Sequence, residues 1–270
     1  MDSLSAVRSQ LQSFGSVITG FSGGADSALL AWLAHDELGS ENALAVTAVS
    51  ASLAPEEKDD CAALADEWNL NWQTVVTNEM NNPNYEANDG LRCYYCKAEL
   101  IDTLDPIAKA RNATVILGVN VDDLGDYRPG QKAAQERGAR FPLVEAGLTK
   151  PEVREISRNL GLRTWDKPAA ACLSSRVPYG TPVTFQTLDQ VAKAETMLKQ
   201  LGFRELRVRH YGDTARIEFG PYDLEKSFEL REEIIEGVKK AGYLYVTIDL
   251  EGLRSGNLNQ ALRRGAVAPG

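Results

Sequence analysis

"GFSGGADSALL", residues 20–30, follows the apolar run SVITGF (16–21) and leads into Ala28, Leu29, Leu30, Trp32 and Leu33, whose spacing predicts a helix. Two consecutive glycines between serines, with an aspartate beside them, therefore stand where a buried strand turns into a helix. Glycine lets the backbone approach a ligand closely, and a helix N-terminus directs unpaired amides and the positive end of its dipole at that ligand. An anion is the natural occupant. The local alternative is that Asp26 or Ser27 caps the helix and the glycines only make a tight turn. The spacing matches neither GxxxxGK[ST] nor GxGxxG.

Working outward from this loop, residues 1–166 alternate β-branched runs with helical patterns. ALAVTAVS (43–50), NWQTVVT (71–77) and ATVILGVN (113–120) are separated by helical stretches at 26–38 and 55–69, and another follows near 150–160. This alternation predicts an α/β domain with a doubly wound parallel sheet, whose ligands bind at the carboxyl ends of the strands. Residues 167–184 carry Pro168, Pro178, Gly180 and Pro182 around AAACLSSRVPYG, and read as a linker or active-site loop. From 185 to 270 the pattern becomes a helix (185–201), a hairpin ELRVRHYGDTARIEF, a helix (223–240) and a strand YLYVTIDL. That order predicts a smaller α+β C-terminal domain similar to a ferredoxin-like unit, with GAVAPG as a frayed tail.

The 270 residues carry a formal net charge of −9, so no general basic field draws in a nucleic-acid backbone. No apolar run approaches the roughly 20 residues of a membrane span, and MDSLSAVRSQLQSF is not a signal-peptide pattern. The chain reads as cytoplasmic. In a reducing compartment its four cysteines are reactive, metal-bound or packed rather than a disulfide framework. Cys61 falls on an amphipathic helix and reads as core. Cys93 and Cys96 form a CxxC, for which a zinc site would need two further ligands and a redox pair none. Cys172 lies between two prolines beside Arg176, which would favour its thiolate, or it is a small buried hydrophobe. Three thiolates from two segments can also hold a [4Fe–4S] cluster with one open iron.

SGGADS resembles the SGGxDS loop of the N-type ATP pyrophosphatases, the PP-loop enzymes. That resemblance implies that ATP binds here, that Ser22, Gly23, Gly24 and Ser27 supply donors to its phosphates, and that Asp26 orients Mg²⁺. It also implies attack of a substrate oxygen on the α-phosphorus, releasing pyrophosphate and leaving an adenylate. GFSGGADS, RCYYCK, GVNVDDLGDYRPG, CLSSRVPYG and VRHYGDTARIE, in this order, resemble the LarE family of ATP-dependent sulfur transferases over nearly the whole chain. The family's activity is thiocarboxylation of pyridinium-3,5-biscarboxylic acid mononucleotide, a step toward the nickel-pincer nucleotide cofactor of lactate racemase. One branch sacrifices the sulfur of a single cysteine; the other holds a [4Fe–4S] cluster on three.

Cys93, Cys96 and Cys172 match the three-cysteine pattern, with Cys172 at the sulfur-donor or cluster position. Gly118 and Asn120 end the strand where ATP should lie. Asp122, Asp123 and Asp126 are Mg²⁺ candidates or ordinary turn residues. Lys97, Arg128, Ser175 and Arg176 are candidate contacts for an anionic small-molecule nucleotide, and Arg207 and Arg209 for its phosphate, unless these two are solvated cross-strand charges. Glu195, on a surface helix, carries less. The resemblance further implies a homo-oligomer; the sulfur source is not legible. Two other readings stay open: a tRNA thiolase, disfavoured by the acidic composition and the lack of an RNA-binding domain, and a non-catalytic ATP-binding sensor. An ammonia-using ligase is weakened by the missing glutaminase.

Overall fold

The computed structural model describes residues 2–125, 129–168, 171–254 and 257. Along the chain the elements run α1 (Ser3–Phe14), β1 (Val17–Gly20), α2 (Ala25–Asn42), β2 (Ala43–Val49), α3 (Pro55–Glu67), β3 (Asn71–Val76), α4 (Pro83–Glu86), α5 (Arg92–Arg111) and β4 (Thr114–Leu117). They continue with α6 (Pro129–Glu136), α7 (Pro142–Glu145), α8 (Lys150–Asn159), α9 (Phe185–Gln200), β5 (Leu206–Tyr211), β6 (Thr214–Phe219), α10 (Leu224–Glu229), α11 (Arg231–Lys240) and β7 (Tyr245–Ile248). Two compact units result: Met1–Glu79 with Cys93–Ala170, and Met80–Arg92 with Ala171–Gly270. Among the described residues no helix is long and apolar enough to cross a membrane.

The first unit is the expected parallel sheet, in the order β3-β2-β1-β4. Strand alternation sends Val17 and Ile116 to one face, against Leu11 of α1, Leu30 and Leu33 of α2 and Val153 of α8. Ile18, Val115 and Leu117 go to the other, against Ile101 and Leu104 of α5 and Ala134 of α6. Burial on both faces explains why these strands read as continuous apolar runs rather than alternating ones. Order 2-1-4 places the reversal of winding at β1, so the crevice at its carboxyl end, where SGGADS begins, is the expected ligand position.

The second unit carries a three-stranded sheet, β5-β6-β7, with the β5–β6 hairpin antiparallel and β7 parallel to β6. Val208, Ala215 and Ile217 face a core completed by Leu198 of α9 and Val238 of α11. The helical pattern of 223–240 is divided at Leu230, whose φ of −99° and ψ of 23° end α10 and start α11. Segment Met80–Arg92, read from sequence as part of the first domain, belongs to this unit. Asn88 is the reason: its Nδ2 donates to the carbonyls of Pro178 (2.8 Å) and Thr181 (2.7 Å), and its own carbonyl accepts from Gly180 N at 2.9 Å.

His210 of β5 is buried in this core, with Nδ1 3.2 Å from the Tyr243 hydroxyl. Burial holds its pKa below the ordinary 6.5, against a smaller upward pull from Asp213. The unfolded chain therefore takes up the proton first on acidification, so this contribution is complete above pH 6.5 and is lost as pH falls through the lower folded value. Chemical denaturation between pH 7 and 5 should show wild type losing more stability than His210→Gln; parallel losses would exclude the effect.

Candidate functional site

Three features shape the glycine loop. Gly23 has φ +69°, and a Cβ there would sit 3.0 Å from Cys61 Sγ and 3.6 Å from Lys167 Nζ. Gly24 is the N-cap of α2, where no side chain covers the first turn of amides. Ser27 Oγ lies 3.0 Å from Ser22 Oγ, accepts from Ser22 N at 3.2 Å and donates to Gly24 O at 3.1 Å, which closes the loop on itself. Cys61 lies in the core as its sequence position indicated, and burial pushes its thiol up to about 11, so it carries no thiolate near neutrality.

Gly118, at the end of β4, packs directly on this loop. A Cβ there would stand 2.5 Å from Ser27 N and 2.7 Å from Ser27 Cα, closer than any side chain tolerates. Two residues on, Asn120 is fully buried and its Nδ2 donates to Asp26 Oδ1 at 2.9 Å. Asp26 Oδ2 pairs with Lys150 Nζ. The neighbouring carboxylates are engaged in ordering backbone: Asp122 Oδ2 accepts from Lys150 N at 2.7 Å, and Asp123 Oδ2 from Asn120 N at 3.3 Å. Asp126 and Arg128 lie outside the described residues. Lys167 lies on the other side of the loop, bridging Glu57 Oε2 at 2.8 Å and Asp60 Oδ2 at 2.6 Å. Burial works against its charge, but hydrogen bonds to Asp60 and Glu57 outweigh it and raise its pKa.

Cys93 and Cys96 occupy the first turn of α5, three residues apart and so on one face, Cys93 exposed and Cys96 half-buried. Gly130 of the DYRPG motif lets α6 approach this turn, since a Cβ at 130 would meet Cys93 O at 2.8 Å and Lys97 Cβ at 3.3 Å. Tyr94 OH donates to Glu136 Oε2 at 2.6 Å and further ties the two helices. The CxxC turn and Gly130 thus form one structural feature.

In the second unit Cys172 is exposed, which removes its reading as a core residue, and it starts a single 3₁₀ turn at Leu173–Arg176. That turn is held from several sides. Ser174 Oγ lies 2.6 Å from Tyr85 OH, and its carbonyl accepts from Arg92 Nη1 at 2.8 Å. Arg176 pairs two-pronged with Glu195, at 2.8 and 3.0 Å, while its Nη1 donates to Ala171 O at 2.7 Å and to Ser175 Oγ at 3.0 Å. Burial opposes the Arg176 charge, but Glu195 outweighs it and raises the pKa. Glu195 is therefore no surface charge: it is 2% exposed, and its Oε1 also accepts from Val208 N at 2.9 Å.

On the sheet face opposite the core, Arg209 is fully buried, paired with Glu218 at 2.7 Å and donating to Ser175 O at 2.7 Å. This excludes solvated cross-strand charges for Arg209. Arg207 is half-buried and has no hydrogen-bond partner among the described residues; burial and the nearby Arg176 and Arg209 lower its pKa. Glu218 and Glu195 pull it partly back up, but these carboxylates are already paired with Arg209 and Arg176. Glu195→Ala would strand the buried Arg176 charge, and should destabilise the second unit by about 3–5 kcal/mol in equilibrium denaturation. A loss under ~1 kcal/mol, the scale of an exposed pair, would contradict that burial.

Sequence reasoning did not single out Lys150, Lys167, Tyr85, Asn88 or Arg92. The local signals were weak: Lys150 follows the helix-capping Thr149, and Arg92 merely precedes the CxxC. Among the described residues no group of three or more His, Cys, Asp or Glu forms a metal-holding cluster.

A parallel sheet whose first strand ends in SGGADS, closed by Gly118 and with Asp26 held at the helix start, defines a PP-loop α/β enzyme. A family described as NAD synthase matches residues 2–92. The chain is 38% identical over 253 residues, 93% of its length and 92% of the relative's, to the pyridinium-3,5-bisthiocarboxylic acid mononucleotide synthase of Lactiplantibacillus plantarum. It is also 50% identical over 247 residues, 90% of this chain and 92% of the other, to an uncharacterized protein of Synechocystis sp.. A third relative, an uncharacterized protein of Methanocaldococcus jannaschii, is 28% identical over 240 residues, covering 88% of this chain and 91% of that protein. The chain belongs to the LarE family of sulfur transferases.

Proposed function

We propose that this protein uses MgATP to activate the carboxylates of pyridinium-3,5-biscarboxylic acid mononucleotide and replaces one oxygen of each with sulfur. The observation that carries this reading is near full-length similarity to a synthase named for the bisthiocarboxylated product, in a chain whose SGGADS loop leaves no room for side chains at Gly23 and Gly118. A carboxylate oxygen attacks the α-phosphorus, the bond to the β-phosphate oxygen breaks, and pyrophosphate leaves with that electron pair. Sulfur at the sulfide level then adds to the acyl carbon, and AMP leaves with the carbon–oxygen bond electrons. No oxidant is needed.

The loop residues Ser22, Gly23, Gly24 and Ser27 would hold the departing pyrophosphate through the α2 amides and hydroxyls, with Asp26 orienting Mg²⁺. Arg207 is the arm for the substrate phosphate, because Arg209 is engaged by Glu218 and Ser175 and Arg176 by Glu195. Lys97, one residue beyond Cys96, is a further anion contact.

The thiols fit an iron–sulfur centre in kind: two on one helix face, and an exposed third on a turn held by buried bonds. When bound by Cys93, Cys96 and Cys172, a [4Fe–4S] cluster supplies an iron without a protein ligand at which sulfide can be held. The exposed Tyr222, Leu244, Tyr245 and Leu250 of the second unit are consistent with homo-oligomerisation.

Pyrophosphate release from MgATP tests the reading. It should depend on the biscarboxylate mononucleotide. Release driven by tRNA instead, with binding that weakens steeply as salt rises, would replace it with tRNA thiolation.

A further inference from the structure

Lys150 is the first residue of α8, the end of a helix where a positive charge opposes the dipole. Its place is nonetheless fixed on both sides. The preceding Thr149 N donates to Glu152 Oε2 at 2.8 Å, and Lys150 N itself donates to Asp122 Oδ2 at 2.7 Å. From that anchor the side chain reaches Asp26, 124 residues earlier in the chain. The helix gains nothing from this lysine, so its use is the ion pair.

Asp26 lies in the first turn of α2, beside the glycine loop, with Oδ1 held by the neutral amide of Asn120 at 2.9 Å and Oδ2 by the Lys150 ammonium. A carboxylate with one oxygen oriented and the other neutralised by a cation suits a hard divalent metal as well as an ammonium. Both side chains are open to exchange, at 15% exposure for Asp26 and 33% for Lys150. The Lys150 ammonium, held at Asp26 in the first turn of α2, stands beside the glycine loop, where a polyphosphate would need counter-charge.

We propose that Lys150 is an exchangeable counter-cation. It neutralises Asp26 while no metal is bound, yields Oδ2 to Mg²⁺ when MgATP enters, and passes its ammonium to the nucleotide phosphates. The inference rests on the loop being an ATP site. It makes Lys150 a positioning residue with two opposed effects on binding.

Those effects separate it from a structural residue. Mn²⁺ alone, titrated by electron paramagnetic resonance, should bind Lys150→Met roughly tenfold more tightly than wild type, because a competing charge is gone. Adding Asp26→Asn should abolish the gain. Calorimetry with a non-hydrolysable ATP analogue and Mg²⁺ should show the same variant binding roughly tenfold more weakly, because a phosphate contact is lost. Lys150→Arg, which keeps the charge, should stay near wild type in both titrations and serves as the folding control. Mn²⁺ affinity unchanged or weaker in Lys150→Met, or analogue affinity unchanged or stronger, overturns the exchange. Failure of the ATP reading itself would look different: wild type would bind no nucleotide at all.

Discussion

Replacing Cys172 by alanine is expected to abolish thiocarboxylate formation while the protein still releases pyrophosphate from ATP. The turn carrying Cys172 is held by Arg176, Tyr85 and Arg92 through bonds that do not involve the thiol, so the variant should fold and keep its melting temperature. In the proposed reaction adenylation would use the glycine loop, which belongs to the other unit and contains no cysteine. Sulfur transfer should fall by roughly a thousandfold or more, the scale expected when a group acting in the bond-forming step is lost. Iron analysis of protein purified without oxygen then separates the two roles open to the residue. About four irons per chain in wild type, lost in the variant, indicate a cluster held by Cys93, Cys96 and Cys172. Iron-free wild type that still transfers one sulfur indicates Cys172 as the donor itself. Unimpaired sulfur transfer by the alanine variant would remove Cys172 from the chemistry.

Gly118→Ala is the second large effect. The added Cβ would fall 2.5 Å from Ser27 N and 2.8 Å from Asp26 C, both backbone atoms of the first turn of α2. A side chain could rotate away from such a contact; a helical turn cannot. Overpacking of this kind costs about 1–3 kcal/mol, a modest loss for a domain of this size. Displacing the loop by a fraction of an ångström should do far more to its ligand, weakening MgATP binding by ~100-fold or more. A variant that melts slightly early and no longer retains nucleotide is the expected outcome. Wild-type affinity in Gly118→Ala would show that β4 and α2 do not jointly form the site.

What was legible in the sequence follows from the range of the interactions concerned. The first strand, the glycine loop and the helix after it are read from adjacent residues, and the structure has them where apolar run, SGG and helical period put them. The hairpin at 205–219 was equally plain from its alternation. Partners of the loop aspartate were not, because Asn120 and Lys150 lie 94 and 124 residues away and local pattern says nothing of such pairings. Arg176 shows the same limit of local pattern. Beside a cysteine it read as an anion contact; the structure adds that it is buried and is the inner tie of the Cys172 turn, with Glu195 as the partner that a surface-helix reading had discounted. Segment Met80–Arg92 was placed with the wrong unit because Asn88, with φ +55° and three backbone partners near residue 180, acts at long range.

Mass spectrometry of the mononucleotide after anaerobic incubation with the protein, MgATP and sulfide tests the account most directly. Two successive mass gains, each that of one oxygen exchanged for sulfur and each absent without ATP, are predicted. Recovery of the unchanged biscarboxylate from protein that has bound and cleaved ATP would contradict it.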